Sequence, residues 1–221
     1  MKVSGSQTLT EGTINEILVT SGSTRINGNL ECQEFKSSGL VKGSGSLSVR
    51  GDFQCSGTFK LAGSLNVEGD ARSSGTTIID GEMIIKGEYK KSGTLRTGKQ
   101  VDVLEGIKVS GLTNIKGNLL TEKYVTLRGN TTIDGNIKAD SIFIGSTKDF
   151  RPIKHPYKVR GNLVAEDEVD IIKTYVSGDV MGRHVRIGRG TEVKGTVYYI
   201  DTIEVNPKAI LEKKPIQIKD E

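Results

Sequence analysis

The sequence predicts an all-β chain coiled into a single-stranded parallel β-helix, a solenoid of triangular cross-section with about 18 residues per rung. Glycine recurs at every sixth position from Gly39 to Gly93. No window has the i, i+3, i+4, i+7 apolar spacing of an amphipathic helix. A Ser-Gly dipeptide also returns every 17 or 18 residues, at Ser4-Gly5, Ser21-Gly22, Ser38-Gly39, Ser56-Gly57, Ser74-Gly75, Ser92-Gly93 and Ser110-Gly111.

Each six-residue unit is predicted to hold one short strand and one corner. Apolar residues alternate with polar ones, as in Leu47 and Val49 and again in Leu65 and Val67. Alternation of this kind is typical of a strand with one buried face. Glycine suits the corner because it tolerates positive φ. Three units make one rung, so residues 18 apart stack at the strand spacing of about 4.8 Å.

One inward column of the predicted core is polar. Ser37, Cys55 and Ser73 occupy its successive positions, and Lys91 comes next. A buried charge is costly, so we expect Lys91 to turn outward or to mark a distortion. Cys55 and the other cysteine, Cys32, form no CxxC or CxxH motif, and we expect both to act as small apolar fillers.

The predicted solenoid has two stretches separated by a loop. Residues 1–146 form the amino-terminal rungs, and residues 160–212 continue the same solenoid. The segment between them, 147–159, reads TKDFRPIKHPYKV; it contains two of the four prolines and no six-residue spacing, which predicts a loop leaving the coil. Residues 213–221 are predicted to be a short charged tail.

Composition argues against several classes of function. The 31 basic residues nearly balance the 27 acidic ones, leaving a net charge of +4, so nucleic-acid binding is not expected. No apolar run is long enough for a signal peptide or a transmembrane segment. Together with the sparse cysteines, this predicts a cytoplasmic protein.

The sequence also argues against an enzyme. A three-imidazole zinc site needs more histidines than the two present, His155 and His184. His184 is predicted to face outward, where it is a poor candidate for a general base. The acidic residues sit singly at corners, tryptophan is absent, and no phosphate-binding loop opens a helix. We therefore predict no catalytic residue, no metal and no cofactor.

A basic cluster near the carboxyl end offers an alternative function. The segment RHVRIGRG contains Arg183, His184, Arg186 and Arg189. These residues form either an ordinary solvated face or a patch for an anion or an acidic partner. In the second case the protein is a monomeric or dimeric binding module that uses this cluster or the 147–159 loop.

The two ends of the solenoid are the predicted self-assembly surfaces. A terminal rung presents unpaired backbone groups above an apolar cross-section, and natural solenoids usually cap it. No helix is predicted to serve as a cap, although the first residues and the tail could fold over the ends and leave a monomer or dimer. The candidate contact residues are Val3, Leu9, Ile14, Ile17, Val197, Tyr199, Ile203, Val205 and Leu211.

Two runs of sequence carry a resemblance to a known family. The glycine-punctuated NGNLECQEFKSSGLVKGSGSLSVRGDF and the closing SGDVMGRHVRIGRGTEVKGTVYYIDTIEV resemble the bactofilins and related polymer-forming cytoskeletal proteins. The resemblance covers nearly the whole chain and implies a right-handed β-helix that assembles without nucleotide into nonpolar filaments. The implied partners are further copies of the chain, with other cytosolic or membrane-associated proteins docking on the filament and recruiting it to the membrane. The chain is longer than a minimal bactofilin domain, and it lacks the proline-rich tails and the hydrophobic amino-terminal motif of some members.

Overall fold

The computed structural model describes residues 1–146 and 156–219. Over these residues the chain forms 22 strands and no helix, and all strands belong to one parallel sheet. The sheet coils into a β-solenoid of about 10 turns with roughly 18 residues per turn. The predicted fold class is therefore confirmed.

Each turn of the coil has three strand segments, and in some turns two successive segments form one continuous strand that runs through a corner. In chain order they are β1 Lys2–Gly43, β2 Leu47–Val49, β3 Phe53–Leu61, β4 Leu65–Val67, β5 Ala71–Ile79, β6 Met83–Ile85, β7 Tyr89–Thr97, β8 Val101–Val103, β9 Ile107–Ile115, β10 Leu119–Leu120, β11 Tyr124–Ile133, β12 Ile137–Ala139, β13 Ser141–Ile144, β14 Tyr157–Val159, β15 Leu163–Ala165, β16 Glu168–Ile171, β17 Thr174–Val176, β18 Val180–Ile187, β19 Glu192–Val193, β20 Val197–Val205, β21 Ile210–Leu211 and β22 Ile216–Gln217.

The stacking register matches the sequence period. Leu47 pairs with Leu65, which pairs in turn with Met83 on the next strand of that face. On another face Gly57 pairs with Gly75, so the Ser-Gly dipeptides form one continuous edge of the prism. Every interior strand is hydrogen-bonded on both sides, and the repeated sequence thereby becomes a repeated backbone ladder.

The Ser-Gly corner differs from the other two corners. Strands β3, β5, β7 and β9 each run for nine residues straight through it. At its apex Gly57 has a φ of 128° and Gly75 a φ of 90°. These left-handed conformations, which glycine adopts readily, let the backbone bend without losing its ladder of hydrogen bonds.

A second corner is tied together by polar side chains. The backbone N–H of Asn136 donates to Oδ1 of Asn118 at 2.9 Å, and the N–H of Asn162 donates to Oδ1 of Asn136 at 2.8 Å. The same bond recurs from the N–H of Asp179 to Oδ1 of Asn162 at 2.8 Å. Each short polar residue after a glycine therefore accepts a hydrogen bond from the next turn, in addition to its preference for turns.

Apolar side chains fill the narrow interior of the coil. The Phe35 and Phe53 rings stack with centroids 5.3 Å apart, and Phe59 packs edge-on against both. Such ring pairs contribute on the order of 1 kcal/mol beyond the burial of their area. They concentrate bulk in the early turns, where neighbouring inward positions are small.

The predicted 147–159 loop is wrong in its last three residues. Residues 147–155, including His155, lie outside the described part of the chain. Tyr157–Val159 form strand β14, which pairs with Thr131–Ile133 of β11. Tyr157 and Val159 are buried at alternate positions and fill the core, so the chain is already back in the coil at Tyr157. The solenoid continues across this segment, and the paired residues of β11 and β14 are farther apart in sequence than the usual 18 positions.

Candidate functional site

The carboxyl-terminal end of the rod exposes apolar residues of the core columns. Val185 and Ile187 are buried, and their partners on the next turn are Ile203 and Val205. Ile203 is only partly buried, and Val205 is 41% exposed. The described residues supply no strand that pairs with the outer side of β20 from residue 202 to 205. The column therefore ends open.

The segment after β20 corrects two predictions. Residues 213–221 are predicted to be a short charged tail, but within them Ile216–Gln217 form strand β22, which pairs with Tyr198 and Tyr199. Gln217 strengthens this contact by donating from Nε2 to the carbonyl of residue 200 at 2.9 Å. Val197 is fully buried, so it is unavailable to a second copy, and Tyr199 is partly covered. Leu211, another predicted contact residue of this end, is only partly buried and remains part of the terminal surface.

At the amino-terminal end the first turn closes on the second. The Met1 ammonium donates to the Ile17 carbonyl at 2.7 Å and to Oε2 of Glu16 at 2.8 Å. Val3 is buried at this end. The other candidates are more open, because Leu9 and Ile14 are partly buried and Ile17 is exposed. Both ends thus combine apolar side chains with the outer edge of a strand.

The predicted arginine cluster is neutralised by carboxylates. Arg183 Nη1 donates to Oδ2 of Asp201 at 3.0 Å, and Arg186 forms a short hydrogen bond with Asp170. This bond and the charge of Asp170 raise the pKa of Arg186. Two of the four basic residues therefore already have anionic partners on neighbouring turns.

The other two members of the cluster lie at its sides. His184 places Nδ1 at 3.0 Å from Oγ1 of Thr202, and its Nε2 lies 3.8 Å from Asp201. Arg189 lines a cleft of about 460 Å³ together with Glu204 and Val205 at the open end of the rod. Because Asp170 and Asp201 lie among the cations of this cluster, and Glu204 lines the same cleft as Arg189, the arrangement does not favour a dedicated anion site.

A groove runs along the outside of the Ser-Gly corner, and we call it the Ser-Gly groove. It has a volume of about 640 Å³. Its lining residues come from the positions before each Ser-Gly glycine on successive turns. They are Val19, Thr20, Lys36, Ser37, Ser38, Gln54, Cys55, Ser56, Arg72, Ser73, Ser74, Lys90, Lys91, Ser92, Lys108 and Ser110.

Lys91 corrects the expectation that it turns outward. Lys91 is only 3% exposed. Its Nζ donates to the carbonyl of Gly75 at 2.8 Å and to that of Ser92 at 2.9 Å. The inward column stays intact because two carbonyls at the Ser-Gly corner replace the water that the ammonium group loses. Burial lowers the pKa of Lys91 to about 8, against a smaller raising effect of nearby Cys55.

The rest of the polar column is hydrogen-bonded internally. Thr20 Oγ1 donates to Oγ of Ser37 at 2.9 Å, and Ser73 Oγ lies 2.9 Å from the hydroxyl of Tyr89. Burial raises the pKa of the Cys55 thiol to about 11, so the thiol is neutral at pH 7. This confirms that Cys55 occupies an inward position as a neutral small side chain.

The lowered pKa of Lys91 predicts a pH-dependent stability. An unfolded lysine has a pKa of about 10.4, so between about pH 8 and that value the unfolded chain binds more protons than the folded one. The free energy of unfolding therefore gains a contribution that rises with pH over this window. We expect Lys91→Met to remove the contribution and to stabilise the protein at pH 7 by on the order of 1 kcal/mol.

Urea unfolding of both proteins at intervals from pH 7 to pH 10 measures this effect. The difference in free energy of unfolding between Lys91→Met and the wild type should shrink as the pH rises. Cys55 is present in both proteins, so the comparison isolates the effect of Lys91. The assignment of a buried ammonium group is contradicted if Lys91→Met is less stable than the wild type at pH 7. It is also contradicted if the free energy of unfolding of the variant changes with pH as steeply as that of the wild type.

Sequence reasoning missed this groove, although a signal for it is present. In the seven Ser-Gly repeats the position three residues before the corner glycine is basic at Lys2, Lys36, Arg72, Lys90 and Lys108, and it is Val19 and Gln54 in the other two. The alternation of inward and outward positions predicts that these side chains face outward. The groove could not be predicted, because it depends on how far the small inward side chains let the wall open.

Comparisons with known proteins add no relative. Neither the protein-family models, nor the curated proteins, nor the solved structures gave a match to this chain. Across residues 1–146 and 156–219, no three His, Cys, Asp or Glu side chains are grouped so that they could hold a metal ion. The same residues contain no helix that is long and apolar enough to span a membrane.

Proposed function

We propose that the protein is a non-enzymatic cytoplasmic scaffold whose rods stack end to end, without nucleotide, into bactofilin-like filaments. The observation that carries this proposal is the open carboxyl-terminal turn, where a core column that is buried one turn earlier emerges at Val205. Further copies of the chain are the partner that fits such a surface, because a second rod offers the same cross-section and the same strand spacing.

The energetics favour self-association at this surface. Leu211 pairs with the buried Val193 one turn earlier and is only partly buried, so a second core column also ends open at the carboxyl-terminal turn. Burying apolar surface yields about 25 cal/mol per Å², and pairing a strand edge satisfies backbone groups that otherwise need water. Docking proteins that recruit the filament to a membrane would bind the sides of the rod, which stacking leaves free.

Electron microscopy in negative stain tests the proposal directly. Purified full-length protein without a tag is imaged over a range of salt concentrations, with EDTA present and nucleotide absent. We expect long, uniform filaments whose width is close to that of a single rod. Discrete rods under every condition, with a length of about 48 Å for ten turns, contradict end-to-end stacking.

A further inference from the structure

The Ser-Gly groove is strongly asymmetric in charge. Five of its lining residues are cationic and none is Asp or Glu: Lys36, Arg72, Lys90, Lys91 and Lys108. Three rim cations have carboxylate partners: Glu34 lies 3.0 Å from Lys36, Asp70 lies 3.5 Å from Arg72, and Glu88 forms an ion pair with Lys90. None of these carboxylates lines the groove. The lining therefore presents a net positive charge to a ligand, carried above all by Lys91 and Lys108, which form no ion pair with a carboxylate of the described residues.

Lys91 adds a buried charge at the bottom of this groove. No carboxylate of the described residues forms an ion pair with it, and the two groups that accept its hydrogen bonds are neutral backbone carbonyls. An ammonium group has three donors, and a buried charge without a counterion is costly. An anionic group entering the groove would offset that cost and strengthen its own binding.

The length and lining of the groove indicate the shape of the ligand. Lys36 and Lys108 are four turns apart, which corresponds to about 19 Å along the rod, or about six residues of extended peptide. Among the described residues no aromatic side chain lines the groove, whereas single-stranded nucleic acid usually binds by stacking its bases on aromatic rings. Small serine side chains leave room for a backbone and offer hydroxyl groups for hydrogen bonds.

We propose that the Ser-Gly groove binds an extended acidic peptide segment of a partner protein. The glutamate or aspartate side chains of the peptide contact the rim cations Arg72, Lys90 and Lys108, and one carboxylate reaches towards Lys91. Recognition of acidic motifs by clustered basic residues is a common mode of peptide binding. The groove lies on the side of the rod, so the proposal does not depend on filament formation.

Fluorescence anisotropy with a defined probe tests this proposal. The probe is a labelled eight-residue peptide of alternating Glu and Ser, compared with its Gln and Ser counterpart and with a labelled oligothymidine. We expect the full-length protein to bind the Glu peptide at low salt, with affinity falling as salt rises, and to bind the other two probes at least tenfold more weakly.

Two charge-matched double variants separate specific from general attraction. Arg72→Gln with Lys90→Gln changes the rim on adjacent turns, and Lys42→Gln with Lys60→Gln changes an exposed pair on adjacent turns outside the groove. We expect the first to weaken binding at least tenfold and the second less than twofold. Lys91→Met should weaken binding about tenfold while its thermal unfolding shows an intact fold.

Three results overturn the proposal. The first is no detectable binding of the Glu peptide at low salt. The second is an equal loss of affinity in the two double variants, which indicates attraction by net charge alone. The third is tighter binding of the oligothymidine than of the peptide, which assigns the groove to nucleic acid.

Discussion

Val205→Glu is expected to abolish filaments while leaving the rod folded. Val205 is 41% exposed in the single rod, so the substitution costs little in the isolated protein. In a stacked interface the same carboxylate loses its water without a partner, at a cost of several kcal/mol, which raises the critical concentration on the order of 100-fold or more. Sedimentation and electron microscopy measure this loss, and circular dichroism checks the fold.

Ile84→Glu is the matched control. Ile84 is 42% exposed and lies on the side of the rod in β6, with stacked turns above and below it. The two variants therefore add the same charge at equally exposed positions, and we expect Ile84→Glu to form filaments. In the nonpolar filament that the resemblance to bactofilins implies, carboxyl-terminal ends meet each other, so Val205→Glu should stop at dimers joined through their amino-terminal ends. Filaments that persist in Val205→Glu contradict stacking at this surface.

Gly75→Ala is expected to destabilise the solenoid by about 3 kcal/mol or more. The φ of Gly75 is 90°, which strains any residue with a side chain. A Cβ atom at this position would also lie 2.3 Å from the carbonyl oxygen of Gly57 on the neighbouring turn. That atom belongs to the backbone ladder and cannot move without breaking hydrogen bonds. Urea unfolding followed by circular dichroism measures the loss.

Gly5→Ala separates backbone strain from the clash. Gly5 belongs to the same Ser-Gly series and has a φ of 74°, but a Cβ atom there would meet nothing within 4 Å. Only the strain remains, so we expect a loss of about 1 kcal/mol. Equal losses at Gly5 and Gly75 would show that the close approach between turns is unimportant.

The sequence predicts most of the fold because each turn obeys a local rule. Strand periodicity, glycine spacing and the 18-residue repeat are read directly along the chain, and parallel stacking follows from them without distant information. The columns of Leu47, Leu65 and Met83 are therefore confirmed in register. The ends were harder to predict, because short apolar strands such as β22 are too brief to show a period.

By itself, the sequence determined the repeating turn, the Ser-Gly edge and the inward or outward side of most residues. The tertiary structure alone decided where Lys91 points, how β22 pairs with Tyr198 and Tyr199, and where the wall opens into a groove. The physical reason is that a period specifies equivalent positions on successive turns. Solvent access and hydrogen-bond partners depend instead on the particular side chains that surround each position after the turns stack.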